Sequence, residues 1–226
     1  MIVVTGFEAF GGHPSNPSEE IAKAVDGRTI DGHTVRAAIL PVHHAEAARA
    51  AARLLSEHEP VAVLHVGLAA GRARLALERV AVNVMDYECA DNAGYQARGE
   101  PCVAGGPVAY LSTLPLAGIL DALGREGIPR YLSNMAGTYL CNQTLYSTLH
   151  TIVAERRRTI AGFMHVPLSP AMVAASGLDQ PSMDPGIGVR AVEVAVRVIS
   201  EHLGAREDRA SNTHEGAPPA RSPSPW

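Results

Sequence analysis

Short β-branched and aliphatic runs alternate with alanine-rich amphipathic stretches along most of this chain, and that alternation restricts its fold more than any other feature. MIVVT (Met1 to Thr5), TVRAAIL (Thr34 to Leu40), VAVLHVG (Val61 to Gly67), LALERVAVNV (Leu75 to Val84), RYLSN (Arg130 to Asn134) and TIAGFMHVP (Thr159 to Pro167) read as strands. Between them, EEIAKAVDG, HHAEAARAAARLLSEHEP, GILDALGREG, TYLCNQTLYSTLH and a terminal GVRAVEVAVRVIS (Gly188 to Ser200) read as helices. Asn16-Pro17-Ser18 supplies a helix start, with Gly27 as its stop, and Pro60 ends the second helix. Strands apolar on both sides and separated by helices imply a mostly parallel sheet covered on both faces. An α/β sandwich is the expected architecture.

The chain has 226 residues, 46% of them hydrophobic and 19% charged, which suits one globular domain. That domain is expected to span residues 1–204. From Ala205 the chain reads AREDRASNTHEGAPPARSPSPW, with no aliphatic residue larger than alanine. Such a segment cannot bury enough surface to offset the entropy of ordering, so residues 205–226 are expected to form a disordered tail. The formal net charge of −4, with Lys and Arg scattered, lacks the basic footprint of a nucleic-acid binder. No stretch reaches the ~20 apolar residues of a membrane span. The expected address is the cytoplasm.

Cys89, Cys102 and Cys141 are odd in number and lack CxxC spacing, which argues for free thiols and against a disulfide framework or a structural zinc site. Ten histidines invite a metal reading, but His43 and His44 are adjacent and no HExxH pair occurs, so most histidines are expected in loops or on the surface. VTGFEAFGG (Val4 to Gly12) resembles a phosphate cradle only superficially, because no Gly-Lys-Ser/Thr follows. No metal or cofactor is implied.

Three residue types far apart in the sequence form a mechanistic set: Glu78, Cys141 and His165. A thiol needs a base to lose its proton, and the base needs a carboxylate or amide to hold its ring. Each residue also has an ordinary structural reading. A lone buried cysteine is a small hydrophobe, a core histidine satisfies hydrogen bonds, and Glu78 could pair with Arg79 on a solvated strand. Position favours chemistry. Cys141 sits where an apolar turn enters a helix, whose N-terminus is expected to lower a thiol pKa and to stabilise an oxyanion. His165 ends an apolar strand, where open α/β sheets place their sites.

SNMAGTYLCNQTLY (Ser133 to Tyr146) resembles the cysteine signature of the pyroglutamyl peptidase I family. GLAAGRARLALERVAVN (Gly67 to Asn83) resembles its glutamate signature, GFMHVP (Gly162 to Pro167) its histidine segment, and VTGFEAFGG with Asn16-Pro17 its N-terminus. AGGPVAYLSTLP and QPSM extend the similarity over roughly residues 1–203. The resemblance implies a three-layer α/β/α sandwich with a mixed, mostly parallel sheet, and a Glu78-Cys141-His165 triad in a cytosolic enzyme that forms a homotetramer. It implies hydrolysis of the N-terminal pyroglutamyl residue from peptides, with Phe7 and Phe10 as aromatic walls, Tyr139 and Leu140 beside the nucleophile, and Asn16 fixing the turn.

The chain departs from the family pattern at Leu68, where glutamine is common, at Ala76, where Ser or Thr is common, and in YECADN, where Glu88 replaces an arginine. A carboxylate near the site is expected to oppose both the thiolate and the oxyanion. Glu88 therefore motivates an alternative, a catalytically weakened family member that binds pyroglutamyl peptides. A phosphorylase-like enzyme is a further alternative, disfavoured by the lack of a phosphate-binding cluster.

Overall fold

The computed structural model describes residues 1–177 and 179–214. The first apolar run forms β1 (Ile2–Phe7), buried along its whole length. Asn16 Oδ1 accepts from Ser18 N at 3.0 Å and starts α1 (Pro17–Val25), a cap that contributes about 1 kcal/mol. β2 (Thr29–Ile30) and β3 (His33–Leu40) form an antiparallel pair. The His43 ring caps α2 (His44–His58), and β4 (Ala62–Leu68) returns to the buried sheet.

The stretch Leu75 to Val84, expected as one strand, divides into two. β5 (Leu75–Glu78) belongs to the large sheet, whereas β6 (Val80–Val82) leaves it. β7 (Met85–Asp86) pairs with β8 (Arg98–Glu100), and β9 (Ala109–Leu111) pairs with β6. Apolar residues resume at Val80 directly after Glu78 and Arg79, but the hydrogen-bond partner changes there, and periodicity carries no record of the partner. α3 (Leu116–Arg125), β10 (Arg130–Ser133), α4 (Leu140–Ala154), β11 (Ile160–Val166), α5 (Pro170–Ser176) and α6 (Pro185–His214) complete the described chain.

The large sheet has seven strands in the order β10-β5-β11-β4-β1-β3-β2. β5 against β11 and β2 against β3 run antiparallel, and the other neighbours are parallel. Helices α1, α3 and α6 pack together over one face, where Val4, Leu64, Val66 and Met164 meet Ile21, Ile119 and Val196. Helices α2 and α4 cover the other, where Val3, Val63 and Phe163 meet Leu55, Leu145 and Leu149. Alternate side chains of each strand therefore feed different cores, which is why β1, β4 and β11 read as continuous apolar runs. The α/β/α sandwich with its mixed, mostly parallel sheet is the expected one.

The expected boundary at Ala205 falls inside α6, which continues to His214. Continuing a formed helix costs far less than nucleating one, and Ala205, Arg206, Glu207 and Arg209 are good helix formers, so polar composition alone does not end it. Residues 215–226 of the expected tail lie outside the described residues.

Candidate active site

The pairing of β5 with β11 sets Glu78 opposite Phe163 and Ala76 opposite His165. Side chains of paired residues share a face, so Glu78 and His165 are diagonal neighbours on the α2/α4 side of the sheet. The geometry agrees: His165 Nδ1 lies 2.7 Å from Glu78 Oε1. An ionised carboxylate can only accept, so the imidazole proton sits on Nδ1 and Nε2 is left unprotonated. On the next strand, β4, Gly67 stands beside His165. A Cβ at Gly67 would lie 2.9 Å from Cys141 Sγ and 2.6 Å from Phe163 Cζ, so the absent side chain is the seat of the thiol.

Glu78 is fully buried, and the same Oε1 also accepts from Arg72 Nη1 at 2.7 Å. Burial works to raise its pKa, but the hydrogen bond and charge of His165 and the bond from Arg72 outweigh it and hold the carboxyl below its usual range. The Ser133 hydroxyl donates to Met135 O at 3.2 Å, and Glu78 Oε2 has no hydrogen-bond partner. Burial lowers the His165 pKa, Glu78 raises it and Arg72 lowers it, with a net fall. The ring is thus neutral near pH 7 and able to act as a base.

Cys141 lies in the first turn of α4, whose N-cap residue Tyr139 contributes no side-chain cap. The first N–H groups of a helix have no intrahelical partner, and here they lie beside the thiol. The helix end lowers the thiol pKa in the expected direction, but the net shift is the other way. Burial pushes the thiol up to about 12 and the Glu78 charge adds to that, against smaller opposing effects from Arg72 and the Cys141 N–H. Both shifts favour a neutral thiol beside a neutral imidazole over the charged pair.

Cys141 and His165 line a cavity of about 100 Å³ at the carboxyl ends of β1, β4 and β11. Phe7, Phe10, Asn16, Tyr139 and Leu140, the five residues expected to contact substrate, line the same cavity. Phe10 stacks on Tyr139 with ring centroids 5.9 Å apart. The Asn16 amide is already engaged: Oδ1 accepts from Ser18 N and Oγ, and Nδ2 donates to Glu8 O. These bonds tie Asn16 to Glu8, in the turn between Phe7 and Phe10. Val42, Leu68 and Ala136 complete the wall, so the departure at Leu68 replaces a common amide with an apolar surface inside the cavity. Arg72 and Gly67 were not singled out from the sequence, although both lie in the Gly67–Asn83 motif.

The expectation for Glu88 is corrected. The residue is exposed and does not line the cavity, and its carbonyl accepts from Gln96 Nε2 at 3.0 Å. Glu88→Arg is expected to change kcat/KM by less than about twofold at either low or high salt, because solvent screens an exposed charge. pH–rate profiles at two salt concentrations check this.

Of the described histidines only His65 and His165 are buried. His43, His44 and Asp91 present atoms within 4.8 Å of one another, a spacing that could suit a metal. Hydrogen bonds already account for them. His43 Nδ1 accepts from Ala45 N and Glu46 N, so a metal on its other nitrogen would require an imidazolate. Asp91 accepts from His44 N and Nδ1 on one oxygen and from Ala93 N and Tyr95 N on the other. The three thiols are free, with Cys89 exposed and Cys102 half-buried.

Residues 1–202 match the pyroglutamyl peptidase family. The pyrrolidone-carboxylate peptidase of Coprothermobacter proteolyticus is 42% identical over 202 residues, covering 89% of this chain and 98% of that protein. That of Deinococcus radiodurans is 44% identical over 207 residues, with 91% and 94% covered. Among solved structures, a variant of the Pyrococcus furiosus pyrrolidone carboxyl peptidase has a TM-score of 0.87 at 41% identity, covering 89% of this chain and 99% of that one. The Thermococcus litoralis enzyme has a TM-score of 0.87 at 39% identity, covering 91% and 95%. By family match, relatives and fold alike, the chain belongs to the pyroglutamyl peptidase family of cysteine peptidases.

Proposed function

We propose that this protein hydrolyses the amide bond following an N-terminal pyroglutamyl residue, with Cys141 as nucleophile, His165 as general acid and base, and Glu78 as the carboxylate that orients the imidazole. The observation that carries the reading is the convergence of Cys141, His165 and the five expected substrate residues on one cavity. His165 Nε2 takes the Cys141 proton as sulfur attacks the pyroglutamyl carbonyl. The N–H groups at the start of α4 stabilise the oxyanion, and the imidazolium gives its proton to the leaving amine. Water, deprotonated by His165, then attacks the thioester, and the thiol leaves with that proton.

The cavity suits a neutral, planar lactam. Its walls are aromatic and aliphatic, and no carboxylate side chain is among the lining residues to pair with the ammonium of an ordinary N-terminus. Peptides with N-terminal pyroglutamate are therefore the proposed partners, without nucleic acid, membrane, metal or cofactor. The weakened-binder alternative finds no support, since its motive, Glu88, is exposed and does not line the cavity. Hydrolysis of a pyroglutamyl fluorogenic amide tests the proposal. A prolyl amide, lacking the lactam carbonyl, is expected to react on the order of ten-thousand-fold less well. Comparable rates on the two would overturn the lactam pocket.

The reading extends to a cytoplasmic homotetramer. Three unpaired thiols suit a reducing compartment, and no helix among the described residues is long and apolar enough to cross a membrane. Copies of the chain would cover the outer side of the β6–β9 pair, where Val84, Val108, Leu111 and Met135 are exposed. Sedimentation of the wild type against Leu111→Glu checks this.

A further inference from the structure

We propose that Arg72 is a positioning residue: its guanidinium fixes the Glu78 carboxylate against the His165 imidazole and sets, through it, the pH range in which the Cys141–His165 pair reacts. The inference rests on the function proposed above and extends it beyond the triad.

The geometry is specific. Arg72 Nη1 and His165 Nδ1 both lie 2.7 Å from the same oxygen, Glu78 Oε1, while Oε2 is buried with no hydrogen-bond partner. A fully buried carboxylate with one orphaned oxygen needs its charge matched nearby. Arg72 supplies that match from the loop between β4 and β5, where its side chain is 28% exposed. The guanidinium also lies over the Tyr131 ring, 5.9 Å from its centroid, and Tyr131 is paired with Ala76 beside Glu78. Ring and hydrogen bond together restrict how the guanidinium can turn. Without it, either carboxylate oxygen can face His165, and the imidazole loses a fixed direction.

Among the described residues, the charged or titratable groups that act on this carboxylate or on the thiol beside it are Arg72, His165 of β11 and Cys141 of α4, while Arg74 lies over the Tyr131 ring, 4.8 Å from its centroid. With Arg72 present, the Glu78 charge beside the Cys141–His165 pair is compensated. Removing Arg72 leaves a net negative charge there, so the pair holds its protons more tightly. Adding a proton to the neutral pair becomes easier and losing one becomes harder, so both limbs of a pH–rate profile move to higher pH.

The test compares Arg72→Gln and Arg72→Lys with wild type in two assays. One is the pH profile of kcat/KM on a pyroglutamyl fluorogenic amide. The other, which needs no substrate, is the pH dependence of Cys141 alkylation by iodoacetamide, read by peptide mapping because exposed Cys89 labels independently. Arg72→Gln is expected to raise both limbs and the alkylation fall-off by roughly half to one pH unit and to lower kcat about tenfold with little change in KM. Arg72→Lys, which keeps the charge but not the planar guanidinium over Tyr131, is expected to restore the pH positions while retaining part of the kcat loss. Unmoved limbs and alkylation in a folded Arg72→Gln overturn the proposal. If that variant does not fold, an unchanged kcat in Arg72→Lys overturns it instead. Failure of the wild type to cleave the amide would count against the proposed function alone, since the alkylation assay still reads Arg72.

Discussion

Cys141→Ser is expected to lower kcat/KM roughly ten-thousand-fold or more, and Gly67→Ala about a hundredfold, with melting temperature little changed in the serine variant. The serine hydroxyl is a weaker nucleophile and a poorer leaving group, and His165 is tuned to a thiol that already sits high in pKa. The glycine variant tests position rather than chemistry. Its new methyl would meet Cys141 Sγ at 2.9 Å and Phe163 Cζ at 2.6 Å, both far inside normal contact, so the thiol must move away from the sheet and from His165. The loss should fall on kcat. Steady-state kinetics with circular dichroism decide it: near-normal turnover in Gly67→Ala would show that the thiol is not seated against β4.

The site was legible in the sequence because its parts lie in four compact motifs, each fixed by local geometry. Asn16 caps a helix, Cys141 opens one, and Glu78 and His165 occupy apolar strands where a polar residue is conspicuous. What stayed hidden depends on contacts between distant segments. Nothing in LALERVAV shows that the hydrogen-bond partner changes at Arg79, because β6 is as apolar as β5. The Glu78 ion pair was hidden in the same way: Arg79, the neighbour in sequence, reaches Asn134, and Arg72, six residues before Glu78, folds back from the loop to bind it. The thiol's direction of shift was misread for a related reason. A helix N-terminus acts locally and is visible in sequence, whereas the burial that outweighs it is assembled from β4, β11 and α4 together. Glu88 shows the converse, a conspicuous departure in sequence that the fold turns toward solvent.

Stability is expected to fall steeply on mild acidification, and His65 is the main reason. Its ring is fully buried, with Nδ1 2.8 Å from Thr5 Oγ1 and Nε2 3.0 Å from Thr148 Oγ1, and it ties β1 and β4 to the helix that carries Cys141. Burial lowers its pKa from 6.5 to about 3. Below pH 6.5 the unfolded chain takes up a proton at this position and the folded chain does not, so stability is full above that pH and declines as pH falls toward 3. One such group contributes about 1.4 kcal/mol per pH unit across the window, or roughly 4–5 kcal/mol in all, a large share of the 5–15 kcal/mol typical of a domain. His165, also lowered, acts in the same direction, so the wild-type slope alone does not isolate His65. His65→Gln does, because the amide can still bond both threonines but does not titrate. Urea unfolding at pH 7, 6, 5 and 4 is expected to show the variant less stable at pH 7 but losing about 1.4 kcal/mol less per unit of acidification. Parallel curves for the two proteins would mean that His65 is protonated in the folded core, and with that the neutral pin between sheet and nucleophile helix would be ruled out.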